Sequence, residues 1–179
     1  LLGERDVFLV TDETVGAHYG DSVLTAFRQW GRRLHVIELA QGEANKTVAA
    51  AERCWNALLE NEYGRDCVVV ALGGGIVGDL AGFVAATWMR GVDFVNVPTS
   101  LLAMVDASVG GKTGFNRGGY KNIVGAFHQP RLVFASIAAL QTLTVARRQE
   151  GLAEAIKHVE LAGPAVLDRV FESAQAAQR

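Results

Sequence analysis

The side chains that could do chemistry gather in three places. The first is Gly73-Gly74-Gly75, which follows an apolar run and precedes a helical pattern. Amide groups at such a helix start lack partners inside the helix, and the aligned peptide dipoles favour negative charge, so the turn suits a diphosphate. Glycines needed only for close helix–sheet packing would look the same. Asp79 fits either a dipole interaction in the helix's first turn or a hydrogen bond to a dinucleotide. The second place holds Asp106 and the run Ser108-Val109-Gly110-Gly111-Lys112-Thr113-Gly114, followed by Lys121-Asn122. Two ammonium groups and an amide suit a small phosphate, and two solvated surface lysines are the plain alternative. The third holds Glu150, Glu154, Lys157 and His158, whose spacing sets Glu154 beside both Lys157 and His158 on a helix. Glu and His one turn apart can ligate a metal, yet a catalytic zinc usually has three protein ligands. A surface Glu154–Lys157 ion pair fits the same spacing.

The elements that must position these groups follow from periodicity. Strands are expected over residues 6–10, 33–39, 67–72 and 94–97, with a last one at 132–134. Helices are expected over 15–30, from a cap at Asn45 to about residue 61, over 76–87 and briefly over 100–105. In the second of these, Val48, Ala51, Trp55, Leu58 and Leu59 should face inward. The run 67–72 is continuously apolar, as when helices cover both faces of a parallel strand. Residues 108–116 and 121–127 are too rich in glycine for helix and suit loops or a small hairpin. Thr144 can cap a helix over 145–161, and after Gly163-Pro164 another runs toward Arg179. The class is α/β: a Rossmann-like parallel sheet with helices on both faces, followed by the first helices of an α-helical domain. Residues 1–136 form the first unit and 137–179 begin the second, which has too little apolar surface to stand alone, so the chain is expected to be incomplete.

Composition narrows the partners. A formal net charge of −2 leaves no global attraction to polyanions, and nucleic acid is not expected. The apolar segment 92–105 is broken by Asp93, Asn96 and Pro98 and falls short of the ~20 residues that span a bilayer, so no membrane association is expected. No secretory start is present, and the expected location is cytoplasmic. Cys54 and Cys67, without C-x-x-C spacing, suit buried reduced thiols. Eleven of the 20 glycines fall between Gly73 and Gly119, which makes that stretch the place to look for function.

Taken in order, Gly73 to Phe83, Arg90-Gly91, Pro98-Thr99-Ser100, Val105-Asp106-x-Ser108 to Gly114, Lys121-Asn122 and Gly151-Leu152-Ala153-Glu154-x-x-Lys157 resemble the 3-dehydroquinate synthase family, as does Gly42-Glu43-x-x-Lys46. The resemblance implies an NAD-binding domain joined to a helical domain, a homodimer, and a sugar-phosphate substrate, 3-deoxy-arabino-heptulosonate 7-phosphate. It implies zinc (or cobalt) held by Glu154 and by two histidines outside this chain. It places Asp106, Lys112, Asn122 and Lys157 at the reacting substrate, with Arg90 reaching the partner subunit's site. It assigns Gly75, Ile76, Val77, Gly78, Asp79, Thr99, Ser100, Lys112 and Lys121 to NAD, with Glu43 and Lys46 at the adenosine end and Leu140, Gln141 and Thr142 nearby. Tyr120, the Arg117-Gly118-Gly119 turn and Ser100 depart from the family's usual residues. A cyclase acting on another sugar phosphate, or an NAD-binding module without chemistry, are the other readings.

Overall fold

The structure, a computed structural model, describes residues 3–163 together with Val166 and Asp168. Of the helix expected beyond Pro164, Val166 and Asp168 are described, both helical, and the rest lies outside the described residues. Among the described residues the order is β1 (Val7–Asp12), α1 (Glu13–Trp30), β2 (Leu34–Leu39), α2 (Val48–Glu60), β3 (Val68–Gly73), α3 (Gly75–Thr87), β4 (Asp93–Pro98), β5 (Lys112–Arg117), β6 (Tyr120–Phe127), β7 (Leu132–Val133) and α4 (Val145–Ala162). Five strands form one parallel sheet in the order β2-β1-β3-β4-β7, and β5 pairs antiparallel with β6 as a separate hairpin. The α/β expectation holds.

Strand alternation sends residues to two apolar layers. Phe8, Val10, Val69 and Ala71 meet Ala51, Cys54 and Leu58 of α2 and Val77, Leu80 and Val84 of α3. Val7, Leu9, Val68, Val70 and Leu72 meet Val15, Tyr19, Val23, Phe27 and Trp30 of α1. Helices thus cover both faces, and β3, buried at all six positions, is the centre of the domain. Consecutive parallel strands leave β1 toward β2 and β3 toward β4. The chain therefore switches direction between β1 and β3, and a crevice opens beyond their carboxyl ends, the usual ligand position in open α/β sheets.

Local details differ from expectation in three ways. The cap of α2 is Thr47, whose hydroxyl accepts from Ala50 N–H, and not Asn45, because a 3-10 turn over Glu43–Asn45 intervenes. Leu59 is 68% exposed, since the inward stripe of α2 runs through Ala51, Cys54 and Leu58. The short helix after Ser100 widens into a π-turn over Ala103–Ala107, where Ser108 N–H reaches back to Ala103 O at 3.0 Å. Such widened turns often mark functional sites. The hairpin forms where glycine permits it: a Cβ on Gly114 would lie 2.3 Å from Val124 O, and one on Gly125 2.1 Å from Thr113 O. No helix among the described residues is long and apolar enough to cross a membrane.

Candidate nucleotide and metal site

The glycine turn divides into packing and open positions. A Cβ on Gly73 would meet Val77 at 2.7 Å, and one on Gly78 would meet the Asn96 amide at 3.3 Å, so both are needed for close approach. Val77 itself is buried in the core. Gly74 is different. Its nearest neighbour would be Ser100 Oγ at 3.6 Å, and as the N-cap of α3 it gives no side-chain cap to the first-turn amides of Gly75, Ile76 and Val77. Thr99 N–H donates to Gly73 O at 2.9 Å, which sets Thr99 and Ser100 beside the turn. Ser100 Oγ accepts from Ala103 N–H at 3.3 Å and starts the helix that carries Asp106. The amides and both hydroxyl residues thus share the mouth of β3 and β4.

Asp79 is the fifth residue of α3, beyond the first turn, which corrects the idea that it interacts with the dipole there. Its partner is Lys46, almost fully buried, whose ammonium meets both the Asp79 carboxylate and Asn122 Oδ1. Burial raises the Asp79 pKa above its ordinary value, and the contact with Lys46 pulls it back. The network continues through Asn116, whose amide donates to Glu43 Oε1 at 2.8 Å and whose Oδ1 accepts from Asn122 N–H at 2.8 Å. Beside this network lies an open cavity of about 540 Å³ lined by Asp79, Asp106, Lys112, Asn122 and the apolar Val109 and Phe127. Lys121 is not among its lining residues. Hairpin pairing sets Lys112 opposite Phe127 at the open end and Lys121 next to Tyr120 at the turn. Lys112 and Asn122, rather than the two lysines, therefore face one cavity.

The third cluster depends on α4 lying against the π-turn. Thr144 caps α4 as expected, accepting from Arg147 N–H at 3.4 Å. Gly151 allows the contact, because a Cβ there would lie 2.5 Å from Leu102 N and 2.6 Å from Leu101 Cβ. One turn later Glu154 reaches Asp106. Ligand atoms of Asp106, Glu154 and His158 lie within 4.8 Å of one another, and His158 Nε2 stands 3.9 Å from Asp106 Oδ1. Glu154 Oε2 is enclosed and meets the Lys157 ammonium as an ion pair. That carboxylate raises the Lys157 pKa. Two carboxylates and an imidazole fit the donor set of a divalent cation.

Two expected groups stand apart. Arg90 is exposed, in a left-handed turn (φ 69°) before the amino end of β4, at the far end of the sheet from the cavity. Leu140, Gln141 and Thr142 lie in a 3-10 turn docked on α1, where Tyr19 OH meets Thr142 Oγ1 at 2.9 Å and donates to Ala139 O at 3.3 Å. Three residues at or behind the site carry no signal that the sequence reading used. Asp12 ends β1 at the switch point, and its Oδ1 accepts from Thr14 and Val15 N–H, both at 3.0 Å. A strand end followed by an Asx cap could have flagged it. The contacts of Asn116 with Glu43 and of Tyr19 with Thr142 span 73 and 123 residues, which no local pattern reveals. The Glu154–His158 spacing is legible in the sequence, and it is the π-turn that brings Asp106 to both.

The profile of the family described as 3-dehydroquinate synthase N-terminal matches residues 36–150. A 3-dehydroquinate synthase of Synechococcus sp. is 48% identical over 152 residues, covering 85% of this chain and 41% of that protein. The chain spans less than half the length of the curated relatives it matches. Among solved structures, 2-deoxy-scyllo-inosose synthase complexed with carbaglucose-6-phosphate, NAD+ and Co2+ superposes with a TM-score of 0.82 at 27% identity, over 88% of this chain and 44% of that one. 2-epi-5-epi-valiolone synthase from Streptomyces hygroscopicus subsp. jinggangensis, with NAD+ and Zn2+ bound, gives 0.80 at 28% identity, over 84% and 42%. With its uncapped glycine turn, Lys112–Asn122 cavity and Glu154 cluster carried on a matching sequence, the chain belongs to the 3-dehydroquinate synthase family.

Proposed function

We propose that this chain forms the dinucleotide-binding part of a 3-dehydroquinate synthase, a phosphate-eliminating carbon–oxygen lyase. The reaction takes 3-deoxy-arabino-heptulosonate 7-phosphate to 3-dehydroquinate and phosphate by transient oxidation, phosphate elimination, re-reduction and intramolecular aldol closure. The observation that carries the reading is the uncapped turn at Gly74, opening at one strand mouth with a cavity where Asp79, Asp106, Lys112 and Asn122 converge. NAD and a divalent cation, zinc or cobalt, would supply the hydride acceptor and the Lewis acid. Glu154 is the proposed carboxylate ligand, with the family's two histidines contributed from outside these 179 residues. Lys112 and Asn122 hold the substrate phosphate, and Asp106 and Lys157 orient the reacting hydroxyl groups. Gly75 to Asp79, Thr99, Ser100, Lys121 and Leu140 to Thr142 form the dinucleotide groove, with Glu43 at its adenosine end. The working enzyme is a cytoplasmic homodimer in which Arg90, exposed and far from its own cavity, reaches the partner's site.

Identity of 48% to curated dehydroquinate synthases, against 27% and 28% to the two cyclases, favours this substrate over other sugar phosphates. The test is to incubate the protein, as its gene encodes it, with NAD+, Zn2+ and one of three substrates: heptulosonate 7-phosphate, glucose 6-phosphate or sedoheptulose 7-phosphate. Phosphate release with formation of dehydroquinate from the first alone is expected. Turnover of only the latter two would reject the assignment.

A further inference from the structure

Hairpin pairing breaks where β5 passes Asn116. Phe115 stands opposite Val124 and Arg117 opposite Tyr120, so Asn116 alone faces Lys121, Asn122 and Ile123 of β6. Such a bulge bends its strand and re-aims a side chain. Asn122 sits at its centre with φ 53°, a left-handed conformation that strains any residue except glycine. A bulged residue also loses its partner in the ladder, and here a side chain replaces it: Asn122 N–H donates to Asn116 Oδ1 at 2.8 Å. The other end of the Asn116 amide is determined as well. A backbone N–H only donates, so the atom facing it is the oxygen, and the amide nitrogen points away. That nitrogen donates to Glu43 Oε1 at 2.8 Å and to Glu43 O at 3.3 Å. Asn116 N–H leaves the hairpin for Lys46 O at 2.9 Å, which ties β5 to the residue closing the 3-10 turn of Glu43. Asn122 lines the cavity and Asn116 does not, so whatever Asn116 does there it does through its partners.

We propose that Asn116 is a positioning residue with two ends. Its oxygen holds the bulge that presents the Asn122 amide to the cavity, and its nitrogen fixes the Glu43 carboxylate, an acceptor for hydroxyl groups, at the cofactor's adenosine end. The proposal rests on the roles given to Asn122 and Glu43 above.

Equilibrium binding separates the two ends. The protein as its gene encodes it is titrated by calorimetry with NAD+, and with inorganic phosphate at saturating NAD+. A salt concentration of about 0.15 M confines charge effects to near neighbours. Asn122→Ala removes a hydrogen bond to a charged group, a loss of about tenfold for phosphate. In Asn116→Ala the strain at Asn122 is no longer offset, the presenting conformation is depleted, and phosphate should weaken by more than about twofold but no more than in Asn122→Ala. On the Asn122→Ala background the same change should have no further effect on phosphate, since the group it positions is gone. Asn116→Asp keeps an oxygen for Asn122 N–H and sets a like charge against Glu43. NAD+ should then weaken by about tenfold while phosphate stays within about twofold of the parent.

An equal loss of phosphate affinity from Asn116→Ala on both backgrounds, or Asn116→Asp weakening the two ligands alike, would overturn the proposal. Should Asn116→Ala fail to fold, the isosteric Asn116→Asp decides alone. If Asn122→Ala weakens phosphate and Asn116→Ala does not, only the positioning role falls. If Asn122→Ala binds phosphate as the parent does, the phosphate role of Asn122 falls and the proposal with it.

Discussion

Removing the Asp79 carboxylate tests the physical core of the site. In Asp79→Ala, Lys46, 3% exposed, keeps the Asn122 carbonyl as its remaining acceptor. Breaking a buried ion pair from one side costs about 3–5 kcal/mol. Asp79 borders an open cavity that can admit water, so the lower end applies, about 3 kcal/mol. For a domain of this size each kcal/mol shifts the midpoint by roughly 2–4 °C, which gives a fall of about 6–12 °C by differential scanning calorimetry. Asp79→Asn keeps an acceptor and should lose only about 1 kcal/mol. The pH dependence has a definite sign. Burial raises the folded pKa of Asp79 above its ordinary 3.8, so between those two values the folded state binds more protons than the unfolded one. This group's contribution to stability is therefore fullest below 3.8 and declines as pH rises through the folded pKa. Asp79→Asn should abolish that slope. An Asp79→Ala midpoint within 2 °C of the parent, by the conversion above, or equal losses in the two variants, would refute the buried-pair argument.

Other consequences can be checked alongside it. Gly151→Ala puts a methyl into the backbone of Leu102, so it should cost about 1–3 kcal/mol in a urea titration and weaken Co2+ binding at Glu154, followed by cobalt absorbance. Tyr19→Phe removes the hydroxyl that docks the 3-10 turn of Leu140 to Thr142 and should cost about 0.5–1.5 kcal/mol, with weaker NAD+ binding by calorimetry. Burial pushes the thiol pKa of Cys54 up to about 12 and that of Cys67 up to about 11. At pH 8 neither should react with a disulfide reagent until urea unfolds the protein, and rapid labelling of the native form would contradict their burial.

The elements that sequence made plain are those set by short-range pattern. β3 announced itself as six apolar residues before a glycine turn, and the cap at Thr144 by its type and place. The α2 cap was placed two residues early because Asn45 is as good a cap as Thr47, and only the 3-10 turn decides between them. At the site, the glycine turn, Asp106, Lys112 and Glu154 were legible by type. Their grouping was not. It depends on Gly151 letting α4 touch the π-turn, and on the hairpin presenting Asn122, and not Lys121, to the cavity that Lys112 lines. The burial of Lys46 was equally hidden, since its partners are 33 and 76 residues away.

The central claim, that the mouth of β3 holds a dinucleotide diphosphate, is tested most directly by a crystal structure of the protein with NAD+. The account predicts the diphosphate against the amides of Gly75, Ile76 and Val77, with the nicotinamide directed toward Asp106. A cofactor bound elsewhere, with the Gly74 turn closed over by side chains, would contradict it.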